Sequence, residues 1–200
     1  VAALGVGLGF GLQEIFANMV SGIILLFERP IRVGDTVTVG NVTGRVSRIQ
    51  MRATHIVDWD RKELVVPNKV FITDQLINWT LSDTVTRIVV PISVAYGSEI
   101  AVVEKLFLEV IKTTELVLQE PEPNVVFNGF GDSSLHFDIQ VFVRDLTDRA
   151  TVIHNLHKNI YAALQEHHIE IPYPQRDVHI RSVSKAIWPS QQSGLIPDSK

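Results

Sequence analysis

Two hundred residues, 46% hydrophobic, 20% charged and without a cysteine, are enough chain to bury a core in one or two domains. They exclude a collagen-like, coiled-coil or wholly disordered protein, a disulfide framework, a thiolate metal site and a cysteine nucleophile. A formal net charge of −4 argues against a general nucleic-acid binder, and a chain that opens on Val1 is expected to be an excerpt.

The charge is unevenly spread. Residues 1–27 carry only Glu14, whereas Glu28–Arg52 hold Arg29, Arg32, Arg45, Arg48 and Arg52 against Glu28 and Asp35. From Glu63 to the end, 17 acids face 11 bases. An apolar leader, a basic collar and an acidic body predict attachment to a membrane through the first segment. Arginines just past an apolar run fit the cytoplasmic side of a bilayer.

VAALGVGLGFGL (1–12) is uninterrupted apolar sequence, although twelve helical residues reach only about 18 Å, short of a ~30 Å hydrocarbon core. Gly5, Gly7, Gly9 and Gly11 each cost roughly 1 kcal/mol in a helix interior, a cost tolerated where helix backbones pack closely. On a helical wheel Ala2, Gly5 and Gly9 share one face, while Ala3, Gly7 and Gly11 lie nearly opposite. A helix in a closed ring needs two such faces, one for each neighbour. Val1, Leu4, Leu8 and Leu12 form one stripe between them; Val6, Phe10, Gln13 and Ala17 form the other, which would face the axis of a pore. The spacing of GVGLGFG is not that of a phosphate loop, which also needs a preceding strand and a lysine.

Gln13 and Glu14 interrupt the run. Asn18 and Ser21 then fall on one side of the helix, with Ile15, Phe16, Met19, Ile23 and Leu26 on the other. This pattern predicts an amphipathic second half at the membrane interface, bent from the first near Gly11–Gln13.

Pro30 closes the helix, and short β-rich runs follow at Thr36–Val39, Val42–Gln50, Thr54–Trp59 and Glu63–Val66. Turns are expected at Gly34–Asp35, Gly40–Asn41 and Asp60–Arg61, giving a small β-barrel or sandwich. Beyond Val85 the expected order is strand 86–95, helix 98–118 with Ser98 as N-cap, strands 124–130 and 134–144, helix 148–168 and strand 177–182. That is the β-α-β-β-α-β order of a ferredoxin-like unit. The last 19 residues hold five serines and two prolines, a composition that predicts a mobile tail. The expected organisation is therefore a helical segment 1–29, a β-domain 30–82, an α/β domain 83–182 and a tail 183–200, α+β overall.

LGVGLGFGLQEIFANMVSG (4–22), FERPIRVGDTV (27–37), VPN (66–68), INW (77–79) and PYPQRDVHI (172–180) together resemble the pore helix and cytoplasmic region of the small-conductance mechanosensitive channel (MscS) family. The motifs run in family order over about 1–181, and QEIFAN (13–18) is similar to the large MscK/KefA-type members. Smaller relatives carry glycine where this chain has Glu14, so a hinge there is not carried over. The family's two constricting apolar positions match Val6 and Phe10, the residues of the axial stripe.

The resemblance implies a homoheptamer in the inner or plasma membrane, multi-pass in the parent protein, with tension-sensing helices preceding Val1. Residues from about 30 onward would be cytoplasmic, the β part Sm-like. Membrane tension would open the pore to ions and small solutes during hypo-osmotic shock.

Other readings are weaker. Arg29 and Arg32 suit anionic lipid headgroups or simple orientation. His154 and His157, one turn apart, with His168 and Glu166 near their face, fall short of the three well-placed ligands zinc usually takes, so a solvated helix face is expected and no metal. GDSSLHFD (131–138) is not a nucleophile elbow and reads as a turn entering a strand. Asn68 reads as a structural turn residue, and Asp58, Asp60, Arg61 and Lys62 as a charged hairpin. No constellation supports an enzyme, and no cofactor is expected. An Sm-like RNA module is opposed by the missing aromatic platform and the acidic second half; a non-conducting membrane-anchored scaffold is the remaining alternative.

Overall fold

The computed structural model describes residues 2–179 and 181, residues 2–8 by backbone alone. Helix α1 (Ala2–Glu28) runs without interruption through Gly11–Gln13. Gly9–Glu28 within it is long and apolar enough to cross a membrane. Arg29 ends it in the left-handed conformation (φ 51°), its N–H donating to the Leu25 carbonyl oxygen at 3.1 Å. Pro30 then prevents continuation.

Strands β1 (Thr36–Val39), β2 (Val42–Ile49), β3 (Ala53–Asp58), β4 (Glu63–Pro67) and β5 (Leu76–Asn78) form one antiparallel sheet in the order β4-β3-β2-β1-β5. The predicted runs fall on these strands to within a residue. β1 and β2 pair Val39 with Val42 across a two-residue turn in which Gly40 has φ 58°, a backbone that glycine adopts without strain. The expected barrel closure or sandwich is not present: β4 and β5 do not pair, and there is no second sheet in this part. Between them the chain passes through the single turn α2 (Val70–Thr73), whose Phe71 enters the core. That core joins Leu25 of α1 and Ile31 to Val37, Val46, Ile56 and Phe71.

β6 (Thr86–Ala95), β7 (Asn124–Phe130) and β8 (Ser134–Val143) form a second antiparallel sheet, order β6-β8-β7, against α3 (Ile100–Thr113) and α4 (Arg149–Glu166). Period-two burial along β6 and β8 meets the helical stripes Val103, Phe107, Val110, Ile111 and Leu156, Ile160, Leu164 in one core. This is the ferredoxin-like order without a fourth strand among the described residues. Of the predicted strand 177–182, residues 177–179 and 181 have no regular secondary structure, and Ile180 and Ser182 lie outside the described residues. The exposed edge strand β6 carries Pro91, which has no N–H to donate to a further strand. The chain after α4 touches β6 where the Ala95 N–H donates to the Glu170 carbonyl oxygen at 2.9 Å. Ser98 does not cap α3 either: Glu99 holds the N-cap position, and the Ser98 hydroxyl donates to the Ala95 carbonyl oxygen at 2.8 Å. The tail 183–200 lies outside the described residues.

Candidate functional site

The site begins with how α1 is seated on the first sheet. The polar side anticipated from Asn18 and Ser21 turns toward that sheet: Ser21, Gly22 and Leu25 are buried, and Asn18 is half-buried. Leu25 drops into the core. The Lys69 backbone N–H donates to Asn18 Oδ1 at 3.0 Å, and Lys69 Nζ donates to Glu14 Oε1 at 3.0 Å. Gly22 is a contact point. A Cβ there would press on the Met51 carbonyl oxygen and lie 2.7 Å from Asn68 Nδ2.

Asn68 is fully buried and does far more than end a strand. Its Nδ2 donates to the carbonyl oxygens of Gln50 (2.9 Å) and Met51 (3.1 Å). Its Oδ1 accepts from Thr54 Oγ1 (2.9 Å), and its own N–H donates to the Arg52 carbonyl oxygen (3.0 Å). One amide thus organises the loop between β2 and β3, the start of α2 and the surface under α1. Such a network is rigid when fully satisfied and costly when broken.

The segment leaving the helix is also fixed. Asn78 Nδ2 donates to the Pro30 carbonyl oxygen (3.0 Å) and to Asp35 Oδ2 (2.7 Å), and the same carboxylate oxygen accepts the Arg32 N–H (2.9 Å). Trp79 Nε1 donates to Thr38 Oγ1 (2.8 Å), so the FERPIRVGD and INW motifs are held against one another through β1 and β5. Arg29 Nε donates to the Leu26 carbonyl oxygen at 3.3 Å, and both Arg29 and Arg32 are exposed.

The other side of α1 has no cover in one chain. Phe16, Val20, Ile23 and Phe27 (84% exposed) point away from the sheet, an apolar surface that water alone would not sustain, and Phe10 (74%) is uncovered nearer the N-terminal end of α1. Gln13 is exposed, and a Cβ on Gly9 or Gly11 would meet nothing within 4 Å. The side chains of Val6, Ala2 and Ala3, and the surroundings of Gly5 and Gly7, lie outside the described residues; their backbones continue α1.

The remaining polar features are separate from this junction. Lys62 Nζ lies 2.6 Å from Asp60 Oδ2 in an exposed hairpin; that hydrogen bond and its charges lower the aspartate's pKa and raise the lysine's. Asp145 accepts from the Thr147 N–H and hydroxyl ahead of α4, and these two bonds hold its carboxyl below the usual range. His136 Nδ1 meets Ser93 Oγ at 2.9 Å within the second sheet, where GDSS forms the turn into β8. Among the described residues no three histidine or acidic side chains converge to hold a metal.

Comparison with known proteins agrees with this architecture. Residues 14–81 match the family described as "Mechanosensitive ion channel, beta-domain", and residues 88–171 match "Mechanosensitive ion channel MscS, C-terminal". The chain is 50% identical over 181 residues to mechanosensitive channel MscK of Escherichia coli K12, covering 90% of this chain and 16% of that protein. It is 45% identical to miniconductance mechanosensitive channel MscM of the same strain, covering 92% and 17%. The crystal structure of Helicobacter pylori MscS in its closed state superposes with a TM-score of 0.84 at 28% identity, covering 91% of this chain and 72% of that one. The chain belongs to the MscS family of mechanosensitive channels, a family of channels and not of enzymes. It spans about a sixth of the length of the curated relatives MscK and MscM.

Proposed function

We propose that this chain is the pore helix and cytoplasmic region of a channel opened by membrane tension, passing ions and small solutes during hypo-osmotic shock. The observation that carries the reading is α1 itself. One side is seated through Asn18, Gly22 and Leu25 on a sheet built for it, the other leaves Phe16 and Phe27 uncovered, and Phe10 is uncovered nearer the N-terminal end. Lipid and further copies of the same helix are the natural cover for such a surface.

In this reading α1 lines the axis of a homo-oligomer, a heptamer as in the family resemblance. Ala2, Gly5 and Gly9 on one face and Ala3, Gly7 and Gly11 on the other take the neighbouring helices, and Val6 and Phe10 form the constriction. The open space around Gly9 and Gly11 supports that packing, because nothing in the chain itself fills it. Rings of Val6 and Phe10 would block ions by expelling water from an apolar neck, with Gln13 as the first polar residue below. The exposed Arg29 and Arg32 would sit near anionic headgroups, each worth ~1 kcal/mol there. Residues from about 30 onward would then lie in the cytoplasm, with no role in nucleic-acid binding.

Patch recording of the full-length parent in liposomes under stepped suction tests the reading. Stepwise currents above a tension threshold, lost on release, are expected. Silence up to membrane rupture from folded, assembled protein would transfer the reading to a non-conducting scaffold.

A further inference from the structure

A cleft of about 810 Å³ opens at the joint between the first sheet and the second domain, within the usual size of a small-molecule site. None of its lining residues belongs to α1. One wall comes from the first sheet: Thr43 of β2, Trp59 in the β3–β4 hairpin and Trp79 just after β5. The other comes from the second domain: Arg87 near the start of β6, then Leu146, Arg149, Ile153 and His154 around the start of α4. The first wall carries the indoles and no charge. The second carries both guanidiniums, and no carboxylate lines either wall.

The two walls are prepared for different parts of a ligand. The Trp79 ring is held in place, because Nε1 donates to Thr38 Oγ1 at 2.8 Å and that hydroxyl lies 2.8 Å from Thr43 Oγ1. With its N–H engaged there, the ring has only apolar π surface left to offer. Trp59 is 55% exposed, an aromatic body half without cover in the chain. Across the cleft, α4 begins with no side-chain cap, so the positive end of an 18-residue helix adds to the two arginines. The acids nearest in sequence lie outside the lining: Asp148 is the N-cap of α4, and Asp145 accepts from Thr147 and feels the charge of Arg45 on β2. In a chain of net charge −4, an acid-free cationic wall opposite two tryptophans is a local departure from the composition.

We propose that this cleft binds a planar aromatic carboxylate, with its ring against Trp59 and Trp79 and its carboxylate toward Arg87 and Arg149. Aromatic rings attract one another beyond the area they bury, and a guanidinium presents paired N–H donors that match a carboxylate. Both halves are needed. A small anion has nothing to lay on the indoles, and a neutral aromatic leaves the arginines unmatched. The bound molecule touches both domains and ties them together at their joint. The site stands on the cleft alone and does not depend on the channel reading.

Calorimetric titration of naphthalene-2-carboxylate into the full-length parent in nanodiscs, with empty nanodiscs subtracted, tests it. Saturable binding is expected, about tenfold or more tighter than that of naphthalene-2-carboxamide, while acetate gives no saturable heat. Arg87→Gln and Arg149→Gln each weaken binding about tenfold, the loss of one charge-assisted hydrogen bond. Trp59→Ala weakens it, Trp59→Phe restores most of it, and Arg61→Gln, outside the lining, leaves it unchanged. All four positions are exposed, so these variants keep the fold. Equal affinity for acid and amide, or full affinity in the Arg87→Gln/Arg149→Gln double variant, overturns the proposal. So does the absence of saturable binding to folded, assembled protein, the result expected if a neighbouring copy fills the cleft.

Discussion

Asn68 lies directly under Gly22: its amide nitrogen occupies the space a side chain at position 22 would need, 2.7 Å from where a Cβ would be built. Glycine at this point is a condition of the helix reaching the sheet at all. We predict that Gly22→Ala forces α1 outward or displaces the Met51 carbonyl, an overpacking cost of about 1–3 kcal/mol. The expected readouts are a lower opening tension in patches and a lower melting temperature. Gly9→Ala makes the contrast, since nothing in the chain lies within 4 Å of that Cβ. A threshold shift in Gly9→Ala would report a neighbouring copy, not this chain's own packing.

Replacing Asn68 by leucine removes a donor to two carbonyls and an acceptor for Thr54 at a fully buried position. With buried partners left unpaired, the expected cost is about 3 kcal/mol, read as a reduced denaturation midpoint. Asn68→Asp keeps the shape but loses both amide donors, and should be nearly as damaging at neutral pH. If Asn68→Leu unfolded at the wild-type denaturant concentration, the network would be ornamental.

Phe10→Ser tests the constriction. A hydroxyl ring in place of a phenyl ring keeps the neck wetted, so the channel should open at lower tension or leak at rest. An unchanged threshold removes Phe10 from the gate.

The Glu14–Lys69 pair bridges helix and sheet, but its side chains are 68% and 42% exposed. Exposed pairs are worth under about 1 kcal/mol and weaken with salt. Glu14→Gln should therefore shift the opening tension slightly at low ionic strength and not at all at high. A large, salt-independent shift would mean that Glu14 acts through something other than this pair.

Asp145 caps the turn leading into α4 through the Thr147 N–H and hydroxyl. Asp145→Ala should lower stability by about 1 kcal/mol. Because the folded carboxyl titrates below its ordinary value, its contribution is present above the unfolded pKa near 3.9 and is lost as pH falls through the lower folded one. The wild-type and Asp145→Ala melting curves should therefore converge in acid, and a gap that stays constant down to the lowest pH would contradict this.

Much of the architecture was legible in the amino-acid pattern because periodicity reports burial locally. β6, β8, α3 and α4 each show their inward residues at the spacing their backbone imposes. Asn18 and Ser21 marked one side of α1, but the pattern could not say that this side meets protein instead of membrane interface. Asn68 was legible only as a turn residue, since its four partners come from positions 50–54 and are brought to it by β3–β4 pairing. His55 gave no signal in the sequence, since its contacts with Gln50 and Glu63 depend on how β3 pairs with β2 and β4. The missing barrel closure was likewise a matter of edge pairing between β4 and β5, which sequence periodicity does not encode.

Leu25, buried at the foot of α1, fixes a pivot rather than a mere attachment. Phe10 stands fifteen residues further up, an arm of about 22 Å at the helical rise per residue. Pivoting by about 5° at Leu25 and Gly22 would carry Phe10 sideways by about 2 Å, so backbone adjustments too small to disturb the sheet become side-chain-sized movements at the other end. Helix and sheet together have the proportions of a lever, with its fulcrum where glycine meets asparagine.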